Sequence, residues 1–194
     1  MNLDLEPYVA ILRRGGVVGC PTETQFGLLA DALNESAVAR VATLKGRAST
    51  APIAVLLPSL EHLPQVAQGI SEAARTLAQR YWPGPLTLVV SAKSGLPAPL
   101  VSDQGGIGVR VPGASVALDL VQRFGRPLTA TSANRSGAPA AHTAEELAAS
   151  LGHVLDAIVD GTSGGESPST VVDCLGEVLK VIRPGPVTIK EAAF

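Results

Sequence analysis

The longest uninterrupted apolar runs in the chain, Tyr8–Leu12 and Ile53–Leu57, are five residues long, and Gly or Pro punctuates the spaces between such runs throughout. Segments this short fall well below the roughly 20 apolar residues needed to span a bilayer. They also cannot bury their apolar surface alone. They have to be packed together, some laid side by side as strands and others on amphipathic helices that cover the resulting sheet. The 20 glycines and 15 prolines are dispersed rather than gathered into a linker, and no internal repeat is present. The reading is one domain over residues 1–194, long enough to bury a substantial core.

Local patterns name the pieces. Asp4–Arg14 reads as a helix stopped at Gly15-Gly16, and Val17–Cys20 as a strand stopped at Pro21. Ser36–Lys45 carries helical spacing with Ser36 as its cap, Ile53–Leu57 is a buried strand, and Ser71–Tyr81 is a helix. "WPGPLTLVV" is a Pro-Gly turn feeding a strand over Leu86–Val90. "GGIGVRVPG" is a strand holding Arg110, followed by a helix over Ser115–Phe124 and a short strand over Leu128–Ala130. Thr143-Ala144-Glu145-Glu146 is a capping box opening a helix. Val154–Asp160, Thr170–Cys174 and Val178–Ile182 read as strands. Strands and helices do not alternate strictly, so the expected class is α/β or α+β, with a twisted mixed sheet and flanking helices.

Composition narrows the function classes. Hydrophobic residues make up 46% but aromatics only 3%, and charged residues 16%, below the usual roughly 25%. A formal net charge of −2 gives no overall attraction for nucleic acid or a membrane surface. Any anion site must come from locally focused cations. Cys20 and Cys174 form no CxxC motif, and the N-terminal stretch lacks the pattern of a signal peptide, so a cytoplasmic location is expected. There is no GxxxxGK[ST] loop, and "GGIGVRVPG" has Val111 where GxGxxG needs its last glycine. "GTSGG" matches GxSxG in letters, but His62, His142 and His153 all precede Ser163, and a strand follows it rather than a helix. The histidines and cysteines show no metal-ligand spacing, and no protein-held metal is expected.

Polar chemistry gathers instead at a few junctions. Lys45-Gly46-Arg47 ends a helix, where cations either complement the helix dipole or face a ligand. Arg110 interrupts an apolar strand, so its guanidinium needs a partner, either an internal carboxylate or a bound anion. "TATSANRSG" supplies Thr129, Thr131, Ser132, Asn134 and Ser136, either as turn chemistry or as neutral donors to phosphate oxygens. "ESPSTVVD" adds Ser167, Ser169 and Thr170, and "VIRPG" places Arg183 after a strand. Together they suggest a pocket at strand ends for a polyanion and a small polar co-substrate.

In this order the clusters resemble the YrdC-type family, the threonylcarbamoyl-AMP synthases of tRNA modification. The matching blocks are Pro21-Thr22-Glu23-Thr24 with Phe26-Gly27-Leu28, Lys45-Gly46-Arg47, Trp82-Pro83-Gly84-Pro85-Leu86-Thr87, Val109-Arg110-Val111-Pro112, Ser132-Ala133-Asn134-Arg135-Ser136-Gly137, Ser169-Thr170-Val171-Val172-Asp173 and Arg183-Pro184-Gly185. They run from about Leu12 to Thr188 and resemble the short single-domain form, implying a YrdC-like fold with a concave cationic cleft. The resemblance implies a nucleotidyltransferase that joins L-threonine, bicarbonate and ATP into threonylcarbamoyl-AMP with release of pyrophosphate. Mg²⁺ would enter with ATP. Downstream proteins would pass the threonylcarbamoyl group to adenosine in tRNA, which is itself a possible direct partner.

By matching position, the resemblance assigns Thr24, Arg110 and Ser169 to threonine. It assigns Lys45, Arg47, Ser132, Asn134 and Arg183 to the nucleotide, with Lys45 and Arg47 as the catalytic cations. The chain departs from the family pattern at Phe26, Ala48, Ala51, Leu56, Gly106 and Ala140, where tyrosine, proline, asparagine, histidine, threonine and serine are usual. Those departures keep a second reading open: a YrdC-like paralogue that binds nucleotide or RNA without threonine-dependent synthesis.

Overall fold

A computed structural model of the chain describes residues 3–46, 52–135, 137–165 and 167–189. Its helices are α1 (Glu6–Arg13), α2 (Glu35–Leu44), α3 (Glu72–Tyr81), α4 (Val116–Phe124) and α5 (Ala144–Leu151). Its strands are β1 (Val18–Cys20), β2 (Gly27–Leu29), β3 (Ala54–Leu56), β4 (Leu86–Ser91), β5 (Gly106–Arg110), β6 (Leu128–Ser132), β7 (Ala157–Ile158), β8 (Thr170–Asp173) and β9 (Lys180–Arg183). Among the described residues these strands form one nine-stranded sheet in the order β7-β1-β2-β6-β3-β5-β4-β8-β9. Pairing is mixed: β1 with β7, β3 with β5 and β4 with β8 are parallel, and the other neighbours are antiparallel. The expected mixed α/β class is what the chain adopts.

Helix starts follow side-chain chemistry. Ser71, Ser115 and Thr143 each accept a hydrogen bond from the backbone N–H three residues on, which satisfies a donor the helix leaves unpaired. The second helix departs from expectation. Its cap is Asn34, not Ser36: Asn34 Oδ1 accepts from both Ala37 N and Ser36 Oγ. Thr143 caps its helix, but the Glu146 carboxylate reaches His142 N rather than Thr143 N. The expected Val154–Asp160 strand is mostly not one. Gly152–Val154 is a 3₁₀ turn, and only Ala157 and Ile158 pair, with β1. Conversely β6 extends to Ser132, which carries Thr131 and Ser132 into the sheet.

Side-chain alternation along the strands divides the sheet into two faces. On one face Val17, Leu28, Val55, Leu57, Leu88, Ile107, Val109 and Val172 pack against α2, α3 and α5 through Val38, Val41, Leu77 and Leu147. On the other, Val18, Cys20, Leu29, Leu56 and Leu128 are covered by α1 and α4 through Leu5, Val9, Leu12, Leu120, Val121 and Phe124. These two helices cover only part of that second face. Beyond their edge the same face continues as Gly27, Ala130, Ala54, Gly108 and Val89, and there it is a cleft. No helix among the described residues is long and apolar enough to cross a membrane.

Candidate active site

The cleft encloses about 550 Å³. Its floor is small because strand register lines up small residues. Ala54 pairs with Ala130, Gly27 pairs with Ser132, and Gly108 lies next along from Ala54. A Cβ on Gly108 would stand 3.2 Å from Ala54 Cβ and 3.3 Å from Thr87 Cγ2, so the middle of the floor has little room for any side chain. Around this floor stand Thr24, Lys45, Arg110, Ser132, Asn134, Ser169 and Arg183, seven of the eight site residues expected from the sequence. The eighth, Arg47, lies outside the described residues, as do Ala48, Ala51 and Ser136.

At one end of the cleft, α2 delivers Lys45. The helix stops as Gly46 turns to φ +65°, a conformation glycine adopts without the Cβ penalty. The Lys45 side chain is buried and turns across to β6, not back onto its own helix end. Its Nζ donates to Ser132 O at 2.8 Å, Ser132 Oγ at 3.2 Å and Asn134 Oδ1 at 2.5 Å. Ser132 Oγ also donates to Asn134 Oδ1 at 2.7 Å, while Asn134 Nδ2 bonds Ala138 O. Three blocks that are distant in sequence are therefore tied into one polar corner.

At the other end, Arg110 projects from the last residue of β5 with its side chain only 7% exposed. Its partner is an internal carboxylate. NH2 donates to Glu23 Oε2 at 2.9 Å, and NH1 reaches Thr24 Oγ1 at 3.3 Å. Glu23 Oε1 in turn accepts from Gly113 N at 2.8 Å, which pins the loop after β5. Arg110 Nε is buried without a hydrogen-bond partner. Burial lowers the Arg110 pKa; the Glu23 charge raises it, and the nearby Arg183 charge lowers it further. Arg183 donates through Nε to Ser169 O and through NH2 to Ser169 Oγ, both at 3.0 Å. It has no carboxylate partner among the described residues. Of these two arginines only Arg110 has a counter-charge among the described residues, an imbalance that favours a bound anion beside them.

Not every expected hydroxyl faces the cleft. Thr129 is fully buried on the opposite side, where its Oγ1 donates to Leu28 O and accepts from Ala30 N to staple β6 to β2. Thr170 is likewise structural, bonded through Oγ1 to Val187 O and Val187 N. Residue parity explains both: each sits one residue out of phase with a neighbour, Ala130 or Ser169, that does face the cleft. Glu23 and Thr87 also take part in the site, beyond the residues that the sequence points to. Glu23 gave no local sign of its partner 87 residues away. Thr87 lines the cleft 2.8 Å from Ser169 Oγ, and the alternation of "LTLVV" places it opposite the buried Leu86, Leu88 and Val90.

Among the departures from the family pattern, Leu56 is in register with Arg110 and almost fully buried. Gly106 is packed so closely that a Cβ would stand 2.9 Å from both Leu175 Cδ1 and Val89 Cγ1. Cys20 and Cys174 are buried thiols away from the cleft lining. Burial pushes Cys174 up to about 12, helped by the Asp173 charge. Among the described residues no group of three or more His, Cys, Asp or Glu side chains is gathered.

Comparison with known proteins agrees with this architecture. The model of the Sua5_yciO_yrdC family, described as "Telomere recombination", matches residues 10–185. Threonylcarbamoyl-AMP synthase of Pyrococcus abyssi is 38% identical over 184 residues, which cover 93% of this chain and 53% of that protein. The chain thus spans about half the length of that curated relative. Threonylcarbamoyl-AMP synthase of Vibrio cholerae is 35% identical over 185 residues, covering 94% of this chain and 97% of that protein. The crystal structure of P. abyssi Sua5 complexed with L-threonine superposes with a TM-score of 0.88 at 37% identity, over 93% of this chain and 54% of that one. By sequence blocks, sheet topology and these matches, the chain belongs to the Sua5/YciO/YrdC family.

Proposed function

We propose that the chain is an L-threonylcarbamoyladenylate synthase, forming threonylcarbamoyl-AMP and pyrophosphate from L-threonine, bicarbonate and ATP. The observation that carries the proposal is a pair of neighbouring arginines lining the cleft with Lys45, Arg110 paired with Glu23 and Arg183 without a carboxylate partner among the described residues. The reaction brings together two anions, a carbamate and a triphosphate, and each suitably placed cation near a protein surface is worth up to about 4 kcal/mol at 4 Å. The names of the relatives support the same chemistry.

In this reading Arg110, with Thr24 and Ser169, holds the threonine carboxylate. Lys45, Arg47, Ser132, Asn134 and Arg183 hold the nucleotide and its phosphates, with Lys45 and Arg47 next to the charge that builds up as pyrophosphate leaves. Acceleration then comes from positioning and charge stabilisation, with no protein nucleophile. Mg²⁺ enters with ATP as part of that substrate, held by phosphate oxygens, which suits a cleft poor in carboxylates. The product serves N6-threonylcarbamoyladenosine formation in tRNA through downstream transfer proteins.

The test is pyrophosphate release from ATP, bicarbonate and Mg²⁺, with and without L-threonine. Threonine-dependent release is expected. ATP binding without it would replace the synthase with a nucleotide-binding paralogue, and salt-sensitive RNA binding without ATP affinity would replace both. Arg47→Ala should lose most turnover with folding kept, and wild-type turnover in that variant removes Arg47 from the mechanism.

A further inference from the structure

Thr87 is 5% exposed and sits on the cleft face of β4. Leu88 pairs with Val109, so Thr87 stands beside Arg110 on that face. Its hydroxyl lies 2.8 Å from Ser169 Oγ and has no other partner among the described residues. Ser169 Oγ also takes the NH2 proton of Arg183 at 3.0 Å, and a guanidinium cannot accept, so one Ser169 lone pair is spent there. The bond between the two hydroxyls uses one of their two protons. The other has no acceptor among the described residues. When Thr87 donates, both Ser169 lone pairs are filled and Ser169 turns its own O–H to the cleft as a pure donor. When Ser169 donates, the spare proton is that of Thr87. In either arrangement the pair offers an O–H next to the Arg110 guanidinium.

From this proton count we infer that Thr87 is a positioning residue of the amino-acid site. It fixes the Ser169 hydroxyl so that its proton, together with the Arg110 guanidinium, meets a carboxylate oxygen. The inference rests on the threonine-binding reading above. A carboxylate matches two converging donors, whereas an ammonium group would find no lone pair on Ser169 when Thr87 donates to it.

The test compares Thr87→Val, which keeps the shape and removes the hydroxyl, with Thr87→Ser, which keeps the hydroxyl. Thr87→Val should raise the KM for threonine about tenfold, the scale of one hydrogen bond to a charged group, with kcat and the KM for ATP within about twofold of wild type. Thr87→Ser should restore the threonine KM to within about twofold. In a Ser169→Ala background Thr87→Val should add less than about twofold, because its route of action is already gone. An unchanged threonine KM in Thr87→Val overturns the role of Thr87. So do equal losses in the Val and Ser variants, or equal rises in the two KM values. Calorimetric titration of wild type with threonine separates the levels. Absence of binding overturns the amino-acid-site reading and this inference with it, whereas binding that Thr87→Val leaves unaltered overturns only the latter.

Discussion

Replacing Glu23 by Gln tests the energetics of the cleft most directly. The substitution keeps size and shape but removes the charge facing Arg110, and one amide oxygen must now serve the Arg110 NH2 and Gly113 N bonds that two carboxylate oxygens serve at present. Removing one partner of a buried ion pair costs about 3–5 kcal/mol, because the remaining charge is left unpaired. Here the Glu23 side chain is 16% exposed and the cleft admits water, which argues for the lower end, about 3 kcal/mol. For a chain of this length that corresponds to a fall in Tm of roughly 6–12 °C. Arg110→Met removes the other charge, and the double variant has no orphan. It should therefore be no less stable than Glu23→Gln alone, with a coupling energy of about 2 kcal/mol or more. Urea denaturation followed by the fluorescence of Trp82, the single tryptophan, supplies all four corners of the cycle. L-Threonine should also stabilise Glu23→Gln more than wild type, since the variant has lost the carboxylate that competes for Arg110. A Glu23→Gln variant within about 0.5 kcal/mol of wild type, or strictly additive single effects, refutes the assignment of Glu23 as the counter-charge of the cleft.

Two further outcomes follow from packing and charge. Gly185→Ala would place a Cβ 2.5 Å from Thr170 N, 2.6 Å from Pro168 O and 2.7 Å from Ser169 C, all backbone atoms that cannot rotate away. It should cost about 1–3 kcal/mol in urea denaturation and weaken threonine binding by displacing Ser169; wild-type stability and affinity would show that the Arg183–Ser169 turn is looser than described. Burial alone would raise the Asp156 carboxyl, but the Val17 N–H, the Arg40 hydrogen bond and the charges of Arg40 and Arg14 together hold it below its usual 3.8. Its folded pKa is thus depressed, so its contribution is complete above pH 3.8 and is lost as pH falls below that through the folded value. Acid unfolding curves of Asp156→Asn should lose that part of the dependence, and a parallel curve would show that Asp156 carries none of it.

How much the sequence disclosed depends on whether a feature is local. Helices with a cap and a full apolar stripe, such as Ser71 with α3 or Ser115 with α4, are legible because cap and stripe lie within one stretch. The three-residue β2 was missed: Gly27–Leu29 is too short to show an alternation, and its pairing with β1 and β6 supplies its order. The cap of α2 was misplaced because Asn34 and Ser36 are both good capping residues, and only backbone geometry chooses between them. The cleft residues were named through the resemblance, but which threonines face the cleft is a matter of strand parity. Thr129 and Thr170 fall on the other face by that parity, whereas the alternation of "LTLVV" puts Thr87 on the cleft face. Glu23 was not legible. The requirement that Arg110 have a partner was readable, but the identity of that partner depends on how β5 folds back beside the loop before β2.

One face of one sheet is core at one end and cleft at the other, and the boundary falls between adjacent rungs of a single ladder. Leu56 pairs with Leu128, and α1 and α4 seal both; two residues along, Ala54 pairs with Ala130, and both are only half-buried and line the cleft. Leucine-sized side chains on the second rung would fill the volume that the first rung gives up to the helices, and the cleft would close as ordinary core. The open floor is therefore a consequence of the small residues Ala54, Ala130, Gly108 and Gly27. It also sets the distance between the two polar ends, because it is the width of the strands that separate Lys45, Ser132 and Asn134 from Arg110, Thr24 and Ser169. On the proposed reading that separation lets a nucleotide and an amino acid occupy one cleft without competing for the same cation. The reacting carbamate then has to meet the α-phosphorus over the apolar floor, between the two sets of flanking charges.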